Sequence, residues 1–410
     1  MKAMDKELWL FTMKFPYGLG ESYLETELPI VAEAYDRVRI FPLEADGPAR
    51  PLPAHAEVHH LLPGPLMYTP LPPLRVLAIL PRFLRAWHAV VRTAPSRNLA
   101  AKRRRELLSI LRQTFNRQRL LAKAWGKQYH PGRVTLYSYW TSDWASVLAC
   151  WKLADRDVRF VSRMHGFDLY AERAEDGWPM LQALQVEQAE RILVASQAGL
   201  DDVLSRYPAM AHKFKLARLA TLDHGAGPWA PSATLRVVSC SNLVELKRVP
   251  LIAEALGQVQ GPVQWTHFGD GPERGAVEAA VKGLPGNIAV ELMGNRPNSE
   301  VIGWYRSRPA DVFVHASSTE GGAPVAMQEA ASFGIPLVAA DAGGVREVVT
   351  AQSGILLPHA VRPQELGAVL NGFRQSPWYA TGARAQVRAF WNSRFNARQV
   401  YGALAHELTC

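Results

Sequence analysis

The sequence predicts an α/β protein made of two Rossmann-like domains with parallel sheets. Three observations lead there. Short apolar runs of buried-strand type alternate with helix-forming segments along the chain, the pattern of parallel sheets with crossover helices. The 410 residues exceed what one ordinary core holds. Glycine-bearing loops follow one strand after another, which gathers them at the carboxyl edge of a sheet, where open α/β sheets hold ligands.

Bulk numbers narrow the class. The chain is 48% hydrophobic and 20% charged, ordinary for a globular protein. No apolar run reaches the length of a spanning helix. The first strand begins at Leu8, too soon for a secretory leader, so a cytoplasmic protein is expected. Cys150, Cys240 and Cys410 have neither metal-ligand spacing nor a disulfide pattern, and no metal site is expected. The net charge of +9 is uneven: Arg75 to Arg133 carries fifteen Lys or Arg against one acid, Glu106, leaving about −5 for the rest.

Taken in order, Leu8 to Met13 reads as a central strand. It enters the turn Lys14-Phe15-Pro16-Tyr17-Gly18-Leu19-Gly20-Glu21 and then a helix from about Ser22 to Ala34. Gly18 and Gly20 lack the third glycine of a dinucleotide fingerprint, so a ligand-binding turn and a plain tight turn both fit. Val38 to Leu43 is a second strand, and residues 44–73 are proline-rich and irregular. Leu74 to Lys127 has helical period, with Leu77, Leu80, Leu84, Trp87 and Val91, then Leu107, Ile110, Leu111 and Phe115 on its apolar face. Lys102, Arg103, Arg104, Arg105, Arg112, Arg117, Arg119 and Lys123 load the other positions. A basic amphipathic region suits an anionic membrane surface; a solvated face is the alternative, and nucleic acid is not expected without interleaved aromatics. Charge reversal at residues 102–105 is expected to weaken binding to anionic vesicles.

Strands follow at Val134–Ser138 and Val158–Ser162, with Asp155-Arg156-Asp157 as a turn before the second. That strand leads into Arg163-Met164-His165-Gly166-Phe167-Asp168-Leu169-Tyr170. His165 and Asp168 are placed to meet a ligand, a core histidine being the other reading. A strand at Arg191–Ala195 completes the first domain, and Gly225 to Ser232 reads as the linker by its Gly/Pro content.

The second series starts at Leu235–Cys240 and Ser241-Asn242, with Lys247-Arg248 before a helix at Val249–Leu256. Val263–Phe268 enters Gly269-Asp270-Gly271-Pro272, a loop compatible with close approach of a ligand. Asn287–Leu292 is strand-like. The most informative stretch is Val312 to Ala330: a strand to Val314, a small polar loop with Glu320, Gly321, Gly322 and Ala323, Pro324 as a first-turn residue, and a helix over Ala326–Phe333 stopped by Gly334. The free N–H groups of that helix start suit an anion such as a diphosphate. Strand Leu337–Ala340 and loop Asp341-Ala342-Gly343-Gly344 follow. Pro377 to Leu408 is helical.

These residues carry a resemblance. Phe15-Pro16-Tyr17-Gly18, Arg163 to Tyr170, Ser239 to Lys247, Gly269 to Pro272, and Glu320 to Val349 with its Glu-Gly-Gly-x-Pro-Val…Glu-Ala core resemble a retaining glycosyltransferase of family 4, nearly end to end. The resemblance implies the GT-B fold, two facing Rossmann-like domains. Residues 1–228 would bind the acceptor, with a basic helical insertion at 74–130. Residues 229–376 would bind a nucleotide-sugar, and 377–410 would return to the first domain. It also implies roles. Glu329 would contact the ribose, Glu320 the donor hexose, and Lys247 would neutralise the leaving diphosphate. His165 would lie beside the donor sugar, and Gly18 and Gly20 would approach the diphosphate. Asn242, Arg248, Gly269, Asp270, Gly271, Gly321, Gly322, Ala323, Pro324 and Val325 would complete the donor site, and Glu21 and Asp168 the acceptor side.

Two departures stand out. Eight residues separate Glu320 from Glu329 where the family often has seven, and neutral Asn242 stands near an expected arginine, leaving Arg248 or Lys247 as the cation. The expected function is metal-independent, retaining transfer of a hexose from a UDP- or GDP-sugar. The acceptor would be a polyprenyl-diphosphate-linked glycan or an oligosaccharide, in surface polysaccharide assembly at the inner membrane face. The alternatives are a non-catalytic nucleotide-sugar-binding protein and a nucleotide-sugar epimerase on the same fold. Glu329→Ala would abolish turnover in an enzyme.

Overall fold

The computed structural model describes residues 6–18, 20–61 and 69–409. The first five residues, and 62–68 of the proline-rich stretch, lie outside the described residues. The chain divides into two compact units. One runs to Ala217 and takes in the segment from Tyr401; the other is Arg218–Val400.

The first unit holds β1 (Glu7–Thr12), β2 (Arg37–Pro42), β3 (Ala56–Val58), β4 (Val134–Ser138), β5 (Phe160–Met164), β6 (Arg191–Val194) and β7 (Phe214–Leu216). Their spatial order is β3-β2-β1-β4-β5-β6-β7, and every pairing is parallel. The second holds β8 (Leu235–Cys240), β9 (Val263–Phe268), β10 (Ile288–Leu292), β11 (Val312–His315), β12 (Leu337–Ala340) and β13 (Gly354–Leu357). Their order is β10-β9-β8-β11-β12-β13. Each sheet therefore reverses direction once, between β1 and β4 and between β8 and β11. A crevice opens at the carboxyl ends of the strands at such a switch point.

Side-chain alternation seats helices on both faces of the second sheet. Val312 and Val314 join one core with Trp265 and Leu370. Phe313 joins another with Met327, Phe333 and Trp391. This period-two split explains why β11 reads as an unbroken apolar run. In the first unit Trp9, Phe11, Phe41, Phe115 and Trp144 form the aromatic centre of one core.

The helices used below are α1 (Leu24–Ala32), α2 (Pro73–Leu77), α3 (Leu80–Val91), α4 (Arg97–Lys102), α5 (Arg104–Trp125), α6 (Val249–Leu256), α7 (Asn298–Ser307), α8 (Val325–Ser332), α9 (Thr381–Phe395) and α10 (Ala397–Thr409). Three sequence expectations change here. First, the helical stretch from Leu74 is not one basic face but four helices, α2 to α5. Arg103, at the α4–α5 junction, is 8% exposed. It pairs with Glu106 at 2.6 Å and with Glu175 at 2.9 Å. Arg117 is likewise buried against Asp143 at 2.5 Å. A buried guanidinium is retained where carboxylates satisfy it, so Arg103 is withdrawn from the run 102–105 while Lys102, Arg104 and Arg105 stay exposed.

Second, Gly225–Ser232 is not a free linker, and the division falls earlier, between Ala217 and Arg218. The amide of Gly227 donates to Phe333 O at 3.0 Å, and the Trp229 indole donates to Asp311 Oδ1 at 2.7 Å. Third, the C-terminal helical segment breaks at Asn396 into α9 and α10. From Tyr401 onward α10 groups with the first unit, where Thr135 Oγ1 donates to Leu408 O at 3.2 Å. The strand after Asp157 also starts later than its apolar run, at Phe160, because residues 155–158 form a turn closed by the Val158 amide on Asp155 O.

Candidate active site at the second switch point

The site is built where β8 and β11 diverge. After β8 the chain turns through a short 3₁₀ segment, Glu245–Lys247. Arg248 then takes a left-handed conformation, φ 48°, and α6 begins. After β11 the loop to α8 carries Glu320. The two loops are fastened together at one carbonyl: Leu246 O accepts from the Ser318 amide at 2.8 Å and from Ser317 Oγ at 3.1 Å.

Glu320 Oε1 is held by two groups at once. Lys247 Nζ forms an ion pair with it, and His315 Nε2 lies 2.7 Å away. Burial alone would raise the Glu320 pKa, but the His315 hydrogen bond and the charges of His315 and Lys247 outweigh it and bring the carboxyl down to about 2. Glu320 is thus a carboxylate at any physiological pH. His315 was not singled out from the sequence. As the last residue of an apolar strand it reads as core, and only the return of the loop brings Glu320 back over it.

Arg248 is not a free cation for a diphosphate. Its Nε donates to Ala316 O at 2.6 Å, and its NH2 group to Ser317 O and His359 O, both at 3.1 Å. It braces the loop that carries Glu320, and Lys247 is the cation that faces the carboxylate. Asn242 is exposed on the β8 loop.

The extra residue between the two glutamates is accommodated by close backbone packing. A Cβ on Gly344 would stand under 3.0 Å from the backbone of Gly322 and Ala323, and one on Gly343, at φ +52°, equally close to Glu320 O. The β12 loop therefore cradles Glu320 to Ala323 at glycine distance. The Gly269-Asp270-Gly271 loop is explained in the same way. A Cβ at Gly269 would clash with Ser241 O, and one at Gly271 with Leu243 O. These glycines answer to the neighbouring protein backbone, where the sequence suggested room for a ligand. Asp270 is taken up by Arg274 at 3.0 Å and by the Gly271 amide at 2.8 Å.

Pro324 is the N-cap of α8 rather than its first-turn residue. Val325 starts the helix, Gln328 N closes its first turn on Pro324 O at 3.2 Å, and the stop at Gly334 has the expected left-handed φ of +77°. Glu329, on α8, accepts from Asn298 Nδ2 of α7 at 2.7 Å. Burial raises its pKa to about 7 against that hydrogen bond. Below an unfolded value of about 4.3 both states are protonated and no penalty exists. As pH climbs toward 7 the unfolded chain ionises first, so folding stability falls. Glu329→Gln, which cannot ionise, is expected to be more stable than wild type at pH 8 by about 2–3 kcal/mol and similar to it at pH 4.5, measured by urea denaturation. An equal difference at both pH values would refute the buried-carboxyl account.

In the first unit the residues expected at the ligand are differently disposed. Glu21 is buried with φ 55°. Its carboxylate accepts from the amides of Met13, Lys14 and Phe15 at 2.6–2.9 Å and from the Trp140 indole at 2.7 Å. The anion-binding amides at the end of β1 are thus filled from within the chain, and Glu21 is a clamp of the β1 loop rather than an open acceptor contact. Gly18 has φ +62°, and a Cβ there would press on Asp46 O; at Gly20 a Cβ meets nothing within 4 Å. Asp168 is also engaged: its two oxygens accept from the amides of Thr141 and His165, both at 2.6 Å. It borders a cavity of about 320 Å³ whose walls include Arg117, Thr141, Asp143, Gln182 and Gln185.

His165 directly follows β5, with its ring against Tyr139 and Trp140, centroids at 4.9 and 4.4 Å. Burial, and then the charge of Arg163, hold its pKa well below 6.5, so the ring is neutral. Both ring nitrogens are buried without a hydrogen-bond partner among the described residues, an arrangement that asks for an outside group. Beneath it Arg163 is fully buried in an ion pair with Glu27 and donates to Ala217 O at 2.7 Å.

Residues 234–372 match the family described as Glycosyl transferases group 1. The amylovoran biosynthesis glycosyltransferase AmsK of Erwinia amylovora is 29% identical over 183 residues, 42% of this chain and 44% of that one. A GDP-mannose-dependent alpha-mannosyltransferase of Mycobacterium tuberculosis is 27% identical over 240 residues, 56% and 60% of the two chains. The matches therefore span about half the length of these relatives. Among solved structures, Anabaena HepE in complex with UDP superposes with a TM-score of 0.66 over 98% of this chain and 99% of that one, at 16% identity. The fold is that of the GT-B glycosyltransferases.

Proposed function

We propose that this chain transfers a hexose from a nucleotide-sugar to a lipid-linked or oligosaccharide acceptor, with retention at the anomeric carbon, in surface polysaccharide assembly. The observation that carries the reading is the Lys247–Glu320–His315 arrangement at the switch point, beside the N-terminus of α8. Departure of a nucleoside diphosphate builds negative charge. A lysine and free helix N–H groups fixed in advance stabilise that charge more in the transition state than in the ground state. Donor binding would draw Lys247 from Glu320 to the diphosphate, leaving Glu320, still held by His315, to accept from a hexose hydroxyl. Glu329 would take the ribose hydroxyls. His165, neutral and unpartnered, would accept or donate one hydrogen bond to the donor sugar.

A relative named for GDP-mannose and a structural neighbour holding UDP support the two donor classes, and the relative named for amylovoran biosynthesis supports the polysaccharide setting. The acceptor is a polyprenyl-diphosphate-linked glycan or oligosaccharide and the working place the inner membrane face, without a metal cofactor. A thermal-shift series with UDP-, GDP- and ADP-sugars tests donor binding, since a ligand at a hundred times its Kd stabilises the fold by about 2.7 kcal/mol. Release of nucleoside diphosphate should follow the same donor preference and vanish in Glu329→Ala. Stabilisation without turnover would favour a binding protein, and a changed sugar released without acceptor would favour an epimerase. No stabilisation by any of the three would overturn the reading.

A further inference from the structure

Helices α2 and α3 present an apolar edge that none of the described residues covers. Leu74 is 81% exposed, Leu77 64%, Leu84 52% and Leu80 39%. Leu74 and Leu77 are three apart on α2, and Leu80 and Leu84 four apart on α3, so within each helix the pair shares one side. They are not misplaced core residues. On α3 the inward positions are Phe83, Ala86, Ala89 and Val90, all buried, and α2 buries no residue at all. Exposed leucines in this number, gathered in eleven residues, mark an interaction surface.

Charge identifies the partner. From Val58 to Arg105 the sequence has no aspartate or glutamate, while Arg75, Arg82 and Arg85 fall among the four leucines. Arg75 and Arg85 are exposed and Arg82 half-buried. A helical edge of leucines interleaved with arginines, without one carboxylate, matches the interface of an anionic bilayer: acyl chains take the leucines and phosphates take the guanidiniums. Among the described residues no helix is long and apolar enough to cross a membrane, so the contact lies in the plane of the surface.

We infer that the α2–α3 edge, Leu74 to Arg85, inserts shallowly into an anionic phospholipid surface and is the main membrane contact of this chain. The run 102–105, singled out from the sequence, is secondary because Arg103 is turned inward to Glu106 and Glu175. This deepens the membrane placement proposed above and does not depend on the glycosyl-transfer chemistry. Lipid binding and donor turnover are measured separately, so failure of one leaves the other standing.

The test is co-sedimentation of the full chain with vesicles of phosphatidylcholine alone and of phosphatidylcholine with phosphatidylglycerol in equal parts. Wild type is expected to bind the mixed vesicles. The triple variant Leu74→Asn, Leu77→Asn, Leu84→Asn changes only exposed side chains and is expected to bind them about tenfold or more weakly. The variant Arg75→Gln, Arg85→Gln is expected to lose the preference for anionic over neutral vesicles. Arg104→Glu with Arg105→Glu is expected to retain more binding than the leucine variant. Unfolding temperatures within a degree or two of wild type exclude misfolding. If the leucine variant binds as wild type does, or if the 104–105 reversal abolishes binding while the leucine variant retains it, the inference is overturned. Wild-type dimerisation in light scattering that the leucine variant abolishes, with no lipid binding by wild type, would assign the edge to a second copy instead.

Discussion

Lys247→Ala is expected to lower kcat by about 10²–10³-fold while leaving the fold intact. The lysine is the cation of the β8 loop that faces Glu320, whereas Arg248 is tied to three carbonyls and cannot replace it without releasing the loop. On the proposed reading, the substituted chain would keep only the α8 N-terminus, of the two groups invoked above, to oppose charge on the departing diphosphate. A structural role is separable by a double-mutant cycle. If Lys247 serves only to hold Glu320, then Lys247→Ala combined with Glu320→Gln loses no more than the worse single change. If each meets the donor in its own right, the losses combine. The readout is single-turnover release of nucleoside diphosphate from the nucleotide-sugar that stabilises wild type. A kcat within threefold of wild type for Lys247→Ala would leave the lysine as a loop contact and remove it from the chemistry.

The second large effect is expected from a methyl group. Gly344→Ala puts a Cβ under 3.0 Å from the backbone of Gly322 and Ala323, and backbone cannot rotate aside as a long side chain can. The loop that places Glu320 must move, so turnover should fall by about a hundredfold, as displaced catalytic groups do. Stability should fall by about 2–4 kcal/mol, the range of overpacking and backbone strain. Gly343→Ala adds the strain of a left-handed φ of +52° and should be at least as severe. Gly303→Ala is the control: its Cβ meets nothing within 4 Å and it lies inside α7, so it should be neutral or stabilising by up to about 1 kcal/mol. A Gly344→Ala chain as active and stable as wild type would show that the β12 loop does not position Glu320.

Apolar periodicity reports burial along one element. The unbroken apolar run Val312-Phe313-Val314 therefore announced a strand buried on both faces, and Pro324 to Gly334 announced a helix with both ends marked. Lys247, Glu320 and Glu329 were named by the motif they stand in, as the resemblance implies. Pairing is different in kind, because it joins residues that the chain separates. Glu27 and Arg163 are 136 positions apart, and nothing near either one indicates that it is ion-paired at zero exposure. Glu21 looked like an open carboxylate beside a glycine turn, until the amides of Met13 to Phe15 and the Trp140 indole were seen to take it. His315 drew no notice in the sequence, and only the returning loop brings Glu320 to it.

By itself the sequence determined the α/β class, the two parallel sheets, the strand–loop–helix that bears the glutamates, and the uneven charge. These depend on local spacing and composition, which hydrophobic burial reads directly. The tertiary structure alone decided which charges remain available. It turned Arg103 and Arg248 to protein carboxylates and carbonyls, left Lys247 facing Glu320, filled the β1 amides with Glu21, and left the leucines of α2 and α3 in solvent. Whether a charged or apolar side chain is satisfied or exposed depends on partners that only the packed chain brings within a few ångströms.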